Sequence, residues 1–265
     1  MIESIVVIIL RGGIRVDLQL QSKNVLITGG SKGIGKDIAA LFIQEGANVG
    51  IAARGEAALQ HAQSELKNVR TYTADLTNEA DRVVLIEKFI NDFGSIDILI
   101  NNAGGSNGST AMETDLSLFQ EAMELNYFSA VHLSKLAAAH MTKGAAIINV
   151  TSIFGRESGG KVTYNNAKAA LISFTKSFAD EMISKGIRVN GVAPGSILHE
   201  TGNWKKRMEE NPDKIKQFVE NEIPAGRFGK PEEVANAVAF LASSRASWIV
   251  GATLNVDGGQ SKMNF

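Results

Sequence analysis

The chain contains no cysteine. That excludes a disulfide framework, a thiolate nucleophile and any metal site built on thiolates, and it fits a reducing, cytoplasmic compartment. Histidine is nearly as scarce, four in 265 residues and set far apart, so no metal site is expected. Excess charge of either sign is missing too. The 27 basic and 28 acidic residues leave a net charge of -1, without the basic footprint of a nucleic-acid-binding protein, and no nucleic-acid partner is expected. There are only four prolines, and no Pro-rich or Gly/Ser-rich linker, low-complexity stretch or internal repeat marks a domain boundary. The one candidate targeting segment is residues 4–10, SIVVIIL, far short of the about 20 residues that span a bilayer. No membrane partner is expected. Nor does it read as a signal peptide, because Glu3 precedes the apolar run and Arg11 and Arg15 follow it where positive charge should come first. Residues 1–15 read either as an additional strand or as sequence upstream of initiation at Val16 through a GTG codon. Residues 16–265 read as one domain.

What is present is an ordinary globular composition, 44% hydrophobic and 21% charged, arranged in a regular alternation. Short apolar runs of strand length fall at 24–28, 48–53, 69–73, 96–100, 145–150, 187–193 and 253–256, separated by longer stretches at helical spacing. Most of these runs are apolar on both faces, as in a parallel sheet covered by helices on both sides. The expected fold is therefore α/β: a doubly wound, seven-stranded parallel sheet of Rossmann type in a single domain. The spacing of Ile34, Ile38, Leu41 and Phe42 predicts a helix over 34–45 with Gly46 as its stop, and Thr77 is a candidate cap for a later helix. Residues 196–230 interrupt the alternation and hold Trp204 and two of the prolines. A long insertion at the carboxyl end of a strand in such a sheet is expected to cover a ligand as a mobile substrate lid; the alternative is a solvated helical excursion.

Chemistry is concentrated at a few points. After the first strand, Gly29, Gly30, Ser31, Lys32, Gly33, Ile34 and Gly35 form a glycine-rich turn that opens directly into a helix, the place where backbone amides and a helix start hold a dinucleotide's diphosphate. An NAD site of this kind wants an acidic residue near the end of the second strand for the ribose 2′-hydroxyl. Ala53 and Arg54 stand there instead. The guanidinium of Arg54 suits a 2′-phosphate, and Lys32 adds a second cation, so the expected cofactor is NADP(H). Tyr164 and Lys168 lie four apart, on one face of a helix after the fifth strand. A lysine cation beside the phenol should lower its pKa and make it a usable general acid. The other two tyrosines have Leu76 and Val131 at that offset. Taken alone, the pair reads equally well as a chance helical neighbour. Ser152, just after the fifth strand, is placed to polarise a substrate carbonyl, with Thr151 as an adjacent alternative donor; serine there also reads as a simple cap or turn former.

From about residue 20 to residue 261 the sequence resembles the short-chain dehydrogenase/reductases. The resemblance rests on the TGGSKGIG turn, Asp75-Leu76, Asn101-Asn102-Ala103-Gly104, Asn126 within ELNYF, Ser152, Tyr164 to Lys168 (YNNAK), Pro194-Gly195 and the closing VDGG at 256–259. It implies a catalytic tetrad of Asn126, Ser152, Tyr164 and Lys168. In it Tyr164 exchanges a proton with the substrate oxygen, Ser152 hydrogen-bonds that oxygen, Lys168 holds the nicotinamide ribose and tunes Tyr164, and Asn126 positions a relay water. It also implies that Asp75 and Leu76 lie at the adenine, that Asn102, Ala103 and Gly104 line the cofactor partly through backbone, and that Pro194, Gly195, Ile197 and Thr201 contact it from the lid side. Two features depart from the family pattern. The gap from Ser152 to Tyr164 is one residue short and carries Arg156, Glu157 and Lys161, and Thr201 sits further along than usual.

The expected activity is an NADP(H)-dependent oxidoreductase interconverting a ketone and a secondary alcohol. The overall pattern is similar to bacterial 3-oxoacyl-acyl-carrier-protein reductases, with Lys143 and Lys185 where carrier-binding basic residues occur in those enzymes. A sugar or polyol dehydrogenase is the enzymatic alternative. A non-catalytic NADP(H)-sensing protein is the alternative of another class, against which the complete tetrad argues. The resemblance further implies a homotetramer.

Overall fold

In the computed structural model, which describes residues 9–10, 13–14 and 16–264, seven strands form one parallel sheet. They are β1 (Asn24–Thr28), β2 (Asn48–Ala53), β3 (Val69–Thr73), β4 (Ile98–Asn101), β5 (Ala146–Val150), β6 (Arg188–Pro194) and β7 (Thr253–Val256). Their order is β3-β2-β1-β4-β5-β6-β7. Strand order reverses between β1 and β4, where Ile27 pairs with Ile51 on one side and Ile100 on the other. The crevice at the carboxyl ends of these two strands is the switch point at which such sheets bind ligands. Ile9–Leu10 and Gly13–Ile14 form a separate antiparallel pair; the rest of 1–15, and with it the choice between extra strand and upstream sequence, lies outside the described residues.

The central strands β4, β5 and β6 are buried along their whole length. Successive side chains point to opposite faces, so Val25 and Ile27 join one core with Ile38, Phe42 and Val238, while Leu26 joins the other with Phe89, Leu99 and Phe178. The edges differ from the expected two-sided burial. β3 exposes Arg70 and Thr73, and β7 is only partly covered, because an edge strand has a neighbour on one side only. The expected run at 96–100 begins pairing at Ile98, since the Asp97 carboxylate instead accepts the Asn24 amide at 2.9 Å at the foot of β1.

The helices of the scaffold are α1 (Gly33–Gln44), α2 (Glu56–Leu66), α3 (Glu79–Phe93), α4 (Leu116–Met123), α5 (Ser129–Ala138) and α6 (Val162–Met182). Thr77 does not cap α3. The Asn78 side chain accepts the amides of Ala80 and Asp81, because Asn78 immediately precedes the helix while the Thr77 hydroxyl donates to Asp75. The stretch 196–230 is more regular than its composition suggests. It contains α7 (Asn203–Glu210) and α8 (Pro212–Glu222), held by Trp204 stacked on Phe218 at 4.6 Å and set against Phe228 at 5.1 Å. α9 (Pro231–Ala242) returns to the sheet.

Two polar devices fix the elements that carry the site. Asn101 donates to Asn149 across β4 and β5, and Asn149 donates to Thr175 of α6, both at 2.9 Å and fully enclosed. A paired buried network of this kind sets register, and here it sets α6 against β5. Arg188 on β6 is buried without a carboxylate and donates to the carbonyls of Leu241, Ala242, Ser243 and Ala246. Those carbonyls, at and just beyond the negative end of α9, compensate its charge and tie α9 to the sheet.

Candidate active site

A cleft of about 600 Å³ opens at the carboxyl edge of the sheet. Its floor at one end is the glycine turn, where Gly29, Ser31, Lys32, Gly33, Ile34 and Gly35 all line the wall. Gly35 is there for close approach: a Cβ would stand 2.4 Å from the Gly29 carbonyl oxygen and 2.5 Å from Asn102 Nδ2. Asn102 Nδ2 donates to the carbonyls of Thr28 and Gly29 at 2.9 and 3.2 Å, and the Thr28 hydroxyl accepts the amides of Asn102 and Ala103. The side chain of Asn102 therefore locks the turn to the end of β4, leaving Ala103 and Gly104 to present backbone to the cleft. No side chain caps the start of α1, and no acidic residue stands in its first turn. Uncapped amides without a competing carboxylate fit an anionic diphosphate.

Beyond the turn, the cleft runs past Ala53, Arg54, Gly55 and Ala58 on one side and Ala74 and Leu76 on the other. Asp75 is not on this wall. Its carboxylate accepts the backbone amide and hydroxyl of Thr77 at 3.0 and 2.8 Å, and these bonds hold it below the usual carboxylate range, with Arg54 adding to the effect. Both bonds use Oδ1, so the loop turns one carboxylate oxygen of Asp75 inward and leaves Oδ2 without a bond to Thr77.

At the other end of the cleft stand Tyr164, Lys168 and Ser152. Lys168 Nζ lies 5.5 Å from the centre of the Tyr164 ring and donates to the Val150 carbonyl at 2.8 Å. Solvent reaches part of the ring through the cleft, yet the surrounding protein pushes the phenol up to about 12, opposed by a hydrogen bond from Ser152. Burial lowers Lys168 to about 8. The expected depression of Tyr164 by its lysine is therefore not found in the free chain, where desolvation dominates and only Ser152 opposes it. Between the two candidate hydroxyls, geometry selects Ser152. Thr151 Oγ1 is committed to the Val192 carbonyl at 2.7 Å, whereas Ser152 Oγ accepts only the Phe154 amide at 3.2 Å and stands close enough to the phenol to lower its pKa.

Asn126 lies behind the cleft wall, fully buried, in a π-helical turn (Glu124–Phe128) joining α4 to α5. Its Nδ2 donates to the carbonyls of Gly105 and Ala122 at 3.0 and 2.9 Å, and its Oδ1 accepts the Gly105 amide at 3.1 Å. One lone pair of Oδ1 is left for a further donor. A Cβ on Gly104 would stand 2.7 Å from that oxygen and 3.2 Å from Lys168 Nζ, so only glycine lets the cleft backbone approach both groups this closely. π-turns recur at functional sites, and nothing in the residue types of ELNYF announces this one.

The shortened loop before Tyr164 turns two of its charges away from the reacting groups. Arg156 donates to the Thr253 carbonyl, Lys161 to the Gly108 carbonyl, and Thr163 to Asn107 at 2.7 Å. On the lid side Pro194, Gly195 and Ile197 line the cleft, but Thr201 is exposed and outside it. A turn closed by the Gly202 amide on the His199 carbonyl at 2.9 Å carries residue 201 outward and leaves His199 facing the cleft. His199, Asn203, Trp204, Ser106 and Leu125 are lining residues that the sequence reading did not single out. Lys143 and Lys185 stand just before β5 and β6, at the amino edge of the sheet. They are on the opposite edge from the cleft. Among the described residues no group of three or more His, Asp or Glu side chains could hold a metal ion, and no helix is long and apolar enough to cross a membrane.

Comparison with known proteins agrees with this geometry. The family model described as enoyl-(acyl carrier protein) reductase matches residues 29–261. The chain is 39% identical over 246 residues to the 3-oxoacyl-acyl-carrier-protein reductase FabG of Vibrio cholerae, covering 91% of this chain and 98% of that one. It is 37% identical over 250 residues to the 7alpha-hydroxysteroid dehydrogenase of Escherichia coli, covering 92% and 96%. Among solved structures, L-sorbose reductase from Gluconobacter frateurii, complexed with NADPH and L-sorbose, superposes with a TM-score of 0.88 at 34% identity, covering 94% of this chain and all of that one. The chain belongs to the short-chain dehydrogenase/reductase family of nicotinamide-dependent oxidoreductases.

Proposed function

We propose that this protein is an NADP(H)-dependent oxidoreductase that interconverts a ketone and a secondary alcohol, with 3-oxoacyl thioesters as its substrate class. The reading rests on one arrangement: Tyr164, Lys168 and Ser152 meet at one end of a cleft whose other end is the uncapped start of α1, with Arg54 beyond it. A bound nicotinamide supplies the hydride to the carbonyl carbon or accepts it. Ser152 holds the substrate oxygen and Tyr164 delivers the proton to it. Lys168 supports the phenol and holds the cofactor ribose. Asn126, whose Oδ1 keeps one free lone pair, holds a water that resupplies the proton. The thioester preference draws on the relatives that reduce 3-oxoacyl carriers. A sugar or polyol substrate is the second reading, favoured by the likeness to L-sorbose reductase over the whole of that chain. The same reading keeps the cytoplasmic homotetramer that the family resemblance implies.

Cofactor choice is testable at one residue. Arg54 directly follows β2, with no carboxylate at Ala53 before it, and a guanidinium pairs a 2′-phosphate where a carboxylate would repel it. Arg54→Asp is expected to weaken NADPH binding and improve the use of NADH, measured as kcat/KM for each with a panel of 3-oxoacyl thioesters and ketoses. A wild-type protein that already prefers NADH would overturn the NADP(H) assignment, and turnover of ketoses alone would transfer the substrate class to the second reading.

A further inference from the structure

His199 occupies a position that neither the glycine turn nor the tetrad explains. It lies two residues past Ile197, whose backbone bridges to Gly229, and its ring rests on the start of α1. A Cβ on Gly33 would stand 2.8 Å from His199 Cε1 and 3.0 Å from each ring nitrogen. The imidazole thus stands over the same uncapped amides that suit a diphosphate, approaching from the lid side. Its seat is defined. The Gly202 amide closes the turn beneath it, a Cβ on Gly202 would stand 2.8 Å from Nε2, and Thr201 Oγ1 lies 3.3 Å from Nδ1.

The charged groups around it come from the turn and α1. Burial and the Lys32 cation hold the imidazole below its usual pKa, while Asp37, one turn into α1, works the other way. Asp37 is in turn influenced by Lys36 on its own helix and Glu232 of α9. In the free protein His199 is therefore neutral at pH 7. An anion arriving beside it reverses the balance, because a nearby negative charge favours the imidazolium.

We propose that His199 is a ligand of the cofactor diphosphate and takes up a proton as the dinucleotide binds. The proposal rests on the dinucleotide reading of the cleft and extends it to a residue that titrates near neutrality. Its consequence follows from linkage. If binding is accompanied by proton uptake, affinity rises as pH falls, and the slope is set by the protons taken up. Wild-type affinity is lowest above the pKa of the bound state and levels off below that of the free state.

The experiment is a fluorescence titration of the full chain with NADH and, separately, NADPH from about pH 5.5 to about pH 8.5, a range centred on histidine's titration. NADH is the decisive probe, since the 2′-phosphate of NADPH titrates near pH 6 by itself. Wild-type affinity for NADH is expected to fall about tenfold across this range, the size of one charge-assisted hydrogen bond. In His199→Gln, which keeps a donor but cannot titrate, the profile should be flat up to about pH 7, leaving only the fall that discharge of Lys168 gives near pH 8. Calorimetry of the wild type in two buffers of different ionisation enthalpy should show proton uptake near neutral pH, and this holds even if the variant fails to fold. A flat wild-type NADH profile, an unchanged slope in His199→Gln, or no proton uptake overturns the proposal. Failure of both dinucleotides to bind at any pH would instead overturn the cofactor reading beneath it.

Discussion

Tyr164→Phe is expected to lower kcat by about 10²- to 10⁴-fold, the usual contribution of a positioned general acid, while folding and cofactor binding survive. The substitution keeps the ring against Lys168 and deletes only the hydroxyl that bonds Ser152. The high pKa of the phenol in the free chain, about 12, keeps the proton on Tyr164 until substrate and cofactor are in place, which suits a donor in the reducing direction. The measurement is single-turnover reduction with enzyme in excess, so that chemistry rather than product release limits the rate. Retention of more than about a tenth of the wild-type rate would assign the proton to another group.

Lys168→Ala should be comparably severe but differ in kind. Nζ is anchored on the Val150 carbonyl at 2.8 Å and faces the Tyr164 ring, so its removal takes away both the charge beside the phenol and a cofactor contact. A loss of at least about 10²-fold in kcat is expected, with a raised KM for the cofactor. The pH dependence separates this from simple damage. Burial lowers Lys168 to about 8, so its charge is present below that pH and lost above it. When the ammonium discharges, the phenol becomes a weaker acid, and kcat/KM for the cofactor, which reports the free enzyme, should fall above about pH 8 in the reducing direction. In Lys168→Ala that limb should vanish. An identical limb in the variant would mean that another group titrates there.

The scaffold was largely legible because its signal is repeated. Five of the seven runs are strands buried on at least most of their length, and that pattern appears in the residues themselves. The meeting of Tyr164 and Lys168 was legible for a similar reason: they are one helical turn apart, and the helix places them together. What could not be read is where side chains turn once local partners compete for them. Asp75 spends one carboxylate oxygen on Thr77, and Thr151 spends its hydroxyl on β6. The 199–202 turn shows His199 to the cleft and hides Thr201. Each outcome depends on a single hydrogen bond or turn that spacing does not encode. The two lid helices escaped for another reason. They are mostly charged, and what holds α7 to α8 is the Trp204, Phe218 and Phe228 cluster, a tertiary contact rather than a helical period. The placement of Lys143 and Lys185 at the edge away from the cleft follows from topology, since both precede strands.

The central claim is hydride transfer between the nicotinamide and the carbonyl carbon within this cleft. It is tested most directly by reducing a 3-oxoacyl thioester with NADPH carrying deuterium at C4 of the nicotinamide, in separate runs for the two C4 positions, and locating the label in the product. The account predicts deuterium on the carbinol carbon from one of the two labelled cofactors and not from the other, because Tyr164 and Ser152 line one end of the cleft and a ring bound there would meet the substrate on one face only. Product whose carbinol hydrogen derives from solvent, or from both C4 positions equally, would contradict it.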